Sequence, residues 1–257
     1  MHEILRHVAA AGRVLDLGSS TGSFRHQDFP FTTVRVDLEA VGVAPGVAFV
    51  QADASQLPFR NGAFDAVICN HSLEHFVGLD AALDEIGRVL KAGGCLFVSV
   101  PDASAFSDRL FRWLSGGGIH VNAFVDVTQL IAAIERHTGT RHVATRPLYA
   151  SFCFANPHNR TGRAPRRFWI IAGGREGFLR VSTWMLRRLD RAFGTRLSVY
   201  GWALFFGPVA ETVRQDGWSN VCVRCGSGHP AEALVLTRWG MYRCPACGAR
   251  NIFTPDM

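Results

Sequence analysis

Residues 13–22, RVLDLGSSTG, decide the fold of this chain. Arg13–Leu17 is a short apolar run of the kind that forms a buried strand, and it leads directly into the small-residue turn at 18–22. Such a turn after a strand brings backbone N–H groups close to a ligand. Because Gly18 and Gly22 are four residues apart, the turn does not match the G-x-G-x-x-G dinucleotide fingerprint, and a nicotinamide enzyme is disfavoured.

The residues after this turn alternate strand and helix patterns, as a parallel sheet requires. The predicted strands are Thr33–Asp37, Val47–Ala52, Phe64–Asn70, Cys95–Val100, Ala144–Phe154 and Ser198–Phe206. The helical spacing of apolar residues predicts helices over Leu79–Leu90, Val127–His137 and Phe178–Phe193. The sequence therefore predicts an α/β fold with a Rossmann-like sheet, a basic insertion and a small cysteine-rich unit over residues 218–257.

Composition limits the class of protein. The chain has 257 residues, of which 48% are apolar and 19% charged, enough for one substantial core and a small appendage. No stretch approaches the length of about 18 to 20 apolar residues that crosses a bilayer. Residues 1–3 lack the pattern of a secretory signal. We therefore expect a cytoplasmic protein.

Positive charge is concentrated in one part of the chain. The net charge is +6, and residues 136–196 hold thirteen arginines against only Glu176 and Asp190 as acidic residues. Such a block suits nucleic acid, anionic lipid head groups or a phosphorylated substrate, and it is equally compatible with a solvated surface. The polar stretch near residue 156 indicates that about 156–196 is an inserted segment.

Polar residues follow each of the first predicted strands. Asp37 ends the second strand, 21 residues after Asp16, where a carboxylate can accept hydrogen bonds from both hydroxyls of a ribose. Asp53 and Ala54 follow the third strand, and Asn70 ends the fourth. Carboxyl ends of parallel strands meet at one edge, so these residues are expected to share one site. Asp37 and Asp53 could instead only cap the helices that follow them.

Five motifs occur in order: DLGSSTG, VDLE, QADASQLPF, FDAVICNHSLEH and EIGRVLKAGGCLFVSVP. Together they resemble the class I S-adenosylmethionine-dependent methyltransferases, especially members that act on small molecules, lipids and sugars. The resemblance covers about residues 10–102 and fades afterwards. It implies a methyltransferase domain over residues 1–212. The family usually has glycine where this chain has Ser20.

The resemblance also implies roles for individual residues. Asp16, Gly18 and Gly22 would shape the turn beside the methionine part of the cofactor. The remaining cofactor contacts would be Asp37 to the ribose hydroxyls, Asp53 to the adenine amino group, the Ala54 backbone N–H to the adenine ring, and Asn70 near the transferred methyl group.

Histidines are the candidates for acid–base chemistry, because an oxygen or nitrogen acceptor that is protonated at neutral pH benefits from a base. His71 and His75 follow the fourth strand, and His120 lies in the loop after the fifth. We predict catalytic roles for His75 and His120, with a packing role open for His75. The Asn/Asp-Pro-Pro-aromatic motif of amide or exocyclic-amine methylation does not follow the fourth strand. No cysteine nucleophile follows the fifth.

Four of the seven cysteines form two C-x-x-C pairs, Cys222 with Cys225 and Cys244 with Cys247. Two such pairs separated by 18 residues are typical of tetrahedral zinc. The pattern resembles zinc ribbons and predicts a structural zinc ion in a unit spanning residues 218–257, with strands at Ala233–Leu236 and Trp239–Arg243. Disulfides remain the alternative.

The preferred function is methyl transfer from S-adenosylmethionine to an oxygen or nitrogen nucleophile of a small-molecule, sugar or lipid intermediate. One alternative is an RNA or ribonucleoprotein methyltransferase that uses the arginine-rich segment 136–196. Another is a non-catalytic binding or scaffold protein on the same fold. Peripheral membrane contact through the basic segment is also open.

Overall fold

The computed structural model describes residues 1–19, 22–40, 46–115, 120–149, 176–209, 220–222, 228–229, 231–236 and 241–252. The strands are β1 Arg13–Leu17, β2 Thr32–Asp37, β3 Ala48–Gln51, β4 Phe64–Asn70, β5 Leu90–Pro101, β6 His142–Tyr149, β7 Val199–Phe206, β8 Asn220–Val221, β9 Gly228–His229, β10 Met241–Arg243 and β11 Arg250–Ile252. The helices are α1 His2–Leu5, α2 Leu79–Val89, α3 Phe106–Ser115, α4 Val127–Thr138 and α5 Glu176–Phe193.

Seven strands form the central sheet in the order β3-β2-β1-β4-β5-β7-β6. Strands β1 to β5 pair in parallel, whereas β7 is antiparallel to both of its neighbours, β5 and β6. The chain runs outward from β1 to β3 and then returns to place β4 on the other side of β1. Such a reversal opens a crevice at the carboxyl ends of the strands, where ligands bind in open α/β sheets. The predicted α/β class is confirmed.

Both faces of the sheet are covered, which explains why its central strands are apolar throughout. One face carries α2 and α4, whose Leu83, Ile86 and Ile134 are fully buried. The other face packs against α1 and against the cysteine-rich unit, since Cys222 and Cys244 belong to the same buried cluster as the strand residues. The sheet, with its carboxyl edge, therefore lies between two packed layers.

Strand β5 and the segment Ala233–Leu236 differ from the sequence prediction. Strand β5 begins at Leu90 and not at Cys95, because Leu90 already pairs with Phe64 of β4 and residues 91–94 form an irregular excursion in that pairing. Ala233–Leu236 is not a strand: Ala231–Ala233 is a 3-10 turn, and Leu236 makes a single bridge to Tyr242. Strand β10 pairs instead with β11, after the second cysteine pair.

In the described part of the chain, no helix combines the length and the apolar character that crossing a membrane requires.

Candidate functional site

Asp16 lies at the end of β1 and is fully buried. Its Oδ2 accepts a hydrogen bond from the Ser23 backbone N–H at 2.9 Å, and the Arg35 Nε lies 3.7 Å away. Its Oδ1 has no hydrogen-bond partner among the residues that the structure describes. Burial raises the pKa of this carboxyl to about 6, against the opposing effects of Ser23 and Arg35. The Asp16 Oδ1 is therefore a buried oxygen that can accept a further hydrogen bond.

The glycines around Asp16 are required by their surroundings. Gly18 has a φ of 65°, and a side chain there would meet the Ser72 Cβ at 2.5 Å. Gly22 has a φ of 108°, and a side chain there would overlap the buried Arg35 guanidinium. The turn is therefore held close to the strand ends on both sides. Ser20, where the chain departs from the family pattern, lies outside the described residues.

The next strand ends place the other predicted cofactor residues side by side. Asp37 ends β2, and its carbonyl accepts from the Ala52 N–H at 3.1 Å, which ties it to the segment holding Asp53 and Ala54. Asp53 Oδ1 accepts from both the backbone N–H and the hydroxyl of Ser55, each at 2.8 Å, and these bonds lower its pKa. Ala54 is buried.

Strand β4 ends in a sharp turn that fixes Asn70. Its Oδ1 accepts from the Ser99 hydroxyl at 2.8 Å, across the pair formed with β5. His71 follows with a φ of 55°, and its N–H donates to the Ser99 carbonyl at 3.0 Å. The chain then enters a 3-10 turn over Leu73–His75. Asn70 is thereby held at the carboxyl edge, beside the end of β1.

His75 and His120, the two predicted catalytic residues, come together beyond this turn. Their ring centroids are 5.0 Å apart at an interplanar angle of 70°. A carboxylate oxygen of Glu74 joins them, and the three potential ligand atoms all lie within 4.8 Å of one another. The His120 Nδ1 lies 3.4 Å from Asp108 Oδ1 on α3, and Arg112 pairs with the same carboxylate at 2.6 Å.

Glu74 has an unusual setting for a carboxylate. Only 1% of the residue is exposed, and its Oε2 has no hydrogen-bond partner in the described part of the chain. Burial raises the pKa of Glu74 to about 8, and the negative charge of Asp108 adds to the effect. The loop bearing His120 is fastened across this turn, because Val121 and Asn122 donate their N–H groups to the Glu74 carbonyl at 2.9 and 3.0 Å.

A cleft of about 530 Å³ opens between α3 and the start of β7. Its lining residues are Asp102, Ser104, Ala105, Phe106, Arg109, Leu110, Arg196 and Leu197. Asp102 follows β5 and is buried, and its Oδ2 lies 3.5 Å from the Arg196 guanidinium. The cleft therefore combines an apolar floor with two exposed cationic side chains, Arg109 and Arg196.

Three of the four predicted zinc ligands cluster. The thiols of Cys222, Cys244 and Cys247 lie within 4.8 Å of one another, with 3.5 Å between the sulfurs of Cys222 and Cys247. The fourth, Cys225, lies outside the described residues. Sequence reasoning missed His229, whose Nε2 is 3.2 Å from the Cys244 sulfur. Among the described cysteines none forms a disulfide.

The arginine-rich segment is not one continuous surface. Arg146 is buried, pairs with Glu3 at 2.6 Å and stacks over the Phe205 ring at 4.9 Å, so it belongs to the core. Residues 151–175, with Arg160, Arg163, Arg166 and Arg167, lie outside the described residues. The arginines of α5 that the structure describes are Arg187, Arg188 and Arg191.

A reversed parallel sheet, a glycine-lined turn at its switch point and acidic residues along its carboxyl edge form the arrangement that the resemblance to class I S-adenosylmethionine-dependent methyltransferases implies. A family model described as a methyltransferase domain matches residues 15–98. This range contains every residue assigned to the cofactor, so the sequence resemblance is confirmed at the level of the class.

Two curated relatives and one solved structure give the comparison its detail. The chain is 29% identical over 172 residues to the ubiquinone/menaquinone biosynthesis C-methyltransferase of Haemophilus ducreyi, covering 57% of this chain and 66% of that protein. It is 28% identical over 132 residues to the malonyl-[acyl-carrier protein] O-methyltransferase of Legionella pneumophila, covering 46% of each. The structure of the [4+2]-cyclase SpnF superposes with a TM-score of 0.53 at 22% identity, covering 81% of this chain and 79% of that one. The last likeness shows the fold alone.

Proposed function

We propose that this chain transfers a methyl group from S-adenosylmethionine to a small-molecule or lipid-type acceptor. The observation that carries the proposal is the carboxyl edge, where a buried acceptor atom of Asp16 and the side chains of Asp37 and Asp53 line one side of the switch point. The two relatives, a quinone C-methyltransferase and an acyl-carrier-protein O-methyltransferase, support an acceptor of this type and add carbon to the acceptor atoms.

The residues at this edge fit the cofactor by their chemistry. Asp16 Oδ1 is a buried acceptor for the ammonium of the methionine part, and Asp37 is a partly exposed acceptor for ribose hydroxyls. The backbone N–H of Ala54 makes no hydrogen bond with the described residues, so it is available to donate to adenine. When bound, S-adenosylmethionine supplies a methyl group activated on a sulfonium. The chain supplies alignment, and a base where the acceptor needs one.

The cleft beside α3 is the site we assign to the acceptor. Phe106, Leu110 and Leu197 offer apolar surface, and Arg109 and Arg196 offer positive charge at the opening. This combination suits an apolar molecule with an anionic group. Helix α3 connects the cleft to the histidine pair, because Asp108 on the same helix faces His120.

His75 and His120 are the groups we assign to proton transfer. The Asp108 Oδ1 lies 3.4 Å from the His120 Nδ1, which leaves the Nε2 of that ring for the acceptor. An acceptor hydroxyl that loses its proton to an imidazole becomes a better nucleophile for in-line displacement.

We also propose that Cys222, Cys225, Cys244 and Cys247 hold one structural zinc ion. Three of their thiols are gathered from two separate turns, and the second turn is closed by the Cys244 N–H donating to the Ala249 carbonyl at 2.8 Å. Four thiolates leave no open coordination position, so such an ion would stabilise the fold and take no part in catalysis.

An acceptor screen tests the proposed function. Purified protein and S-adenosylmethionine are incubated with phenolic, carboxylic and acyl-thioester acceptors of varied chain length, and release of S-adenosylhomocysteine is measured. We expect release with anionic, partly apolar acceptors. Arg109→Gln should raise KM for such an acceptor several-fold and leave cofactor affinity unchanged, whereas the control Arg136→Gln, on α4, should change neither. Cofactor binding without turnover on any acceptor would favour the non-catalytic alternative.

A further inference from the structure

Glu74, His75 and His120 bring together three side chains that ligate divalent cations. One ligand atom from each lies within 4.8 Å of the other two, and the cluster sits directly after β4. The two histidines come from segments 45 residues apart, so the fold and not local sequence creates the grouping. The ring centroids of the two histidines are 5.0 Å apart at an angle of 70°, and one nitrogen of each ring is close enough to share an ion.

Two buried carboxyl groups lie at the cluster. Arg112 pairs with Asp108 at 2.6 Å, and the His71 Nδ1 lies 3.9 Å from the Glu74 Oε1. The Glu74 Oε2 has no hydrogen-bond partner within the described ranges, although a buried carboxylate is costly unless it is paired. A divalent cation at this point would supply the missing partner.

A carboxylate lies near His120. The His120 Nδ1 is 3.4 Å from Asp108 Oδ1 without forming a hydrogen bond, and Asp108 is itself fixed by Arg112. Negative charge beside one ring nitrogen favours a cation at the other. The loop is held in place because Asn122 Nδ2 donates to the carbonyls of Leu73 and Phe76 at 2.8 and 2.7 Å.

We propose that Glu74, His75 and His120 form a binding site for a divalent cation of the Mn²⁺ type. Two imidazoles and one carboxylate suit such ions and leave coordination positions open for water or an acceptor oxygen. With the ion bound, both imidazoles act as ligands, and the ion, in place of a histidine base, would favour the deprotonated form of a coordinated acceptor hydroxyl. Only this catalytic use rests on the proposed function; cation binding does not. The site is distinct from the cysteine cluster, whose thiolates favour zinc over Mn²⁺.

Titration of the full chain with Mn²⁺, following the free ion by electron paramagnetic resonance, tests the site. We expect one bound Mn²⁺ per chain. Glu74→Gln and His120→Gln should each raise the dissociation constant at least about tenfold, since loss of even an outer partner of a metal ligand costs that much. His137→Gln is the matched control, because His137 also contacts carboxylates, Asp80 and Asp84, but lies outside the cluster. It should bind Mn²⁺ as the unaltered chain does.

Calorimetric binding of S-adenosylmethionine to each variant reports whether the variant has folded. It also distinguishes failure of the proposed function from failure of the cation site. Mn²⁺ binding without methyl transfer to any acceptor would sink the proposed function and leave the site standing. Absence of Mn²⁺ binding in a chain that binds the cofactor would overturn the site alone. So would Mn²⁺ binding that survives Glu74→Gln and His120→Gln or is abolished by Cys244→Ser.

Discussion

Asp16 should make the stability of the protein depend on pH in the direction opposite to that of most carboxylates. Its pKa is about 6 when folded, against 3.8 for an ordinary aspartate, because burial favours the neutral form. Between these values the folded chain binds more protons than the unfolded chain, so stability falls as pH rises through this window. The shift corresponds to about 3 kcal/mol at most, at 1.36 kcal/mol per pKa unit.

Melting temperatures from pH 4 to 7 check this expectation. Asp16→Asn cannot ionise, so the contribution that falls with pH should be missing from its profile. Asp65→Asn is the control, because Asp65 pairs with Lys91 in contact with solvent near the start of β4 and should leave this contribution in place. Parallel pH profiles for the unaltered chain and Asp16→Asn would contradict the assignment.

Asp37 should contribute directly to cofactor affinity. It ends β2 at the switch point, and its role as acceptor for two ribose hydroxyls remains a prediction. Asp37→Ala should weaken S-adenosylmethionine binding by about 1.5–3 kcal/mol, the range for a hydrogen bond to a charged group. Calorimetry measures the change, with Glu39→Ala as control, since Glu39 is exposed two residues further on. Equal affinities in the two folded variants would remove Asp37 from the site.

Residue spacing predicted which side chains reach the carboxyl edge, and it missed the charged residues that hold them there. His75 and His120 lie together because the loops after strands four and five meet, and their catalytic role remains a prediction. Arg35, Glu74 and Asp108 were missed, since charged residues in a sequence read as exposed and their burial depends on partners distant in the chain. The buried Arg35, beneath Gly22, is the clearest example.

At the scale of elements, periodicity succeeded where burial followed hydrophobicity. Strand β4 begins and ends where it was predicted, because it is covered on both faces. Helix α3 was not predicted, since its polar Ser107 and Asp108 are buried while Phe106 and Trp113 are exposed. The helix departs from the usual pattern because its buried polar groups have partners: the Ser107 hydroxyl donates to the Val199 carbonyl, and Asp108 pairs with Arg112. Such a departure cannot be read from spacing.

Helix α5 has an apolar face that suits a lipid surface. Its exposed apolar residues are Phe178, Val181, Trp184, Met185, Leu189 and Phe193, which are between 36% and 74% exposed. Arg187, Arg188 and Arg191 flank that face, and the Arg188 guanidinium stacks 4.7 Å from the Trp184 ring. An apolar helix face with arginines beside it binds membrane interfaces that contain anionic lipid. Contact of α5 with such a surface remains a prediction.

Vesicle flotation checks this prediction. Vesicles containing phosphatidylglycerol should retain the protein, and neutral phosphatidylcholine vesicles should retain much less. Met185→Glu should release the protein from the anionic vesicles. Val235→Glu, which also replaces an exposed apolar residue but lies far from α5 in the sequence, should not. Tight RNA binding that falls steeply with salt, without vesicle association, would instead favour the RNA alternative.

At the scale of the whole molecule, the cysteine-rich unit is joined to the core of the sheet. Cys222 and Cys244 are buried in the same apolar cluster as Ile4, Leu5 and Phe24. The spacing of the cysteines predicted a separate unit, because a sequence pattern shows which thiols can share an ion but not what packs around them. The contact with α1 instead predicts that loss of metal is felt beyond residue 220.

Removal of one zinc ligand should therefore have a local and a remote effect. Elemental analysis of the purified protein should give one zinc ion per chain, and Cys244→Ser should lose it, because three thiolates hold zinc less tightly than four. Hydrogen exchange should then rise over residues 241–252 and over α1, which belongs to the same buried cluster as the cysteines, while α2 stays protected by the separate core on the other face of the sheet. Cofactor affinity should persist, because Asp16 and Asp37 are held by the parallel strands. Cys95→Ser is the matched control, since Cys95 is not one of the clustered cysteines and its thiol donates to the Pro208 carbonyl at 3.5 Å. A zinc-free protein, or disulfides between these cysteines detected by mass spectrometry, would refute the metal site. Hydrogen exchange that rises only after residue 220 would show that the cysteine-rich unit folds separately from the sheet.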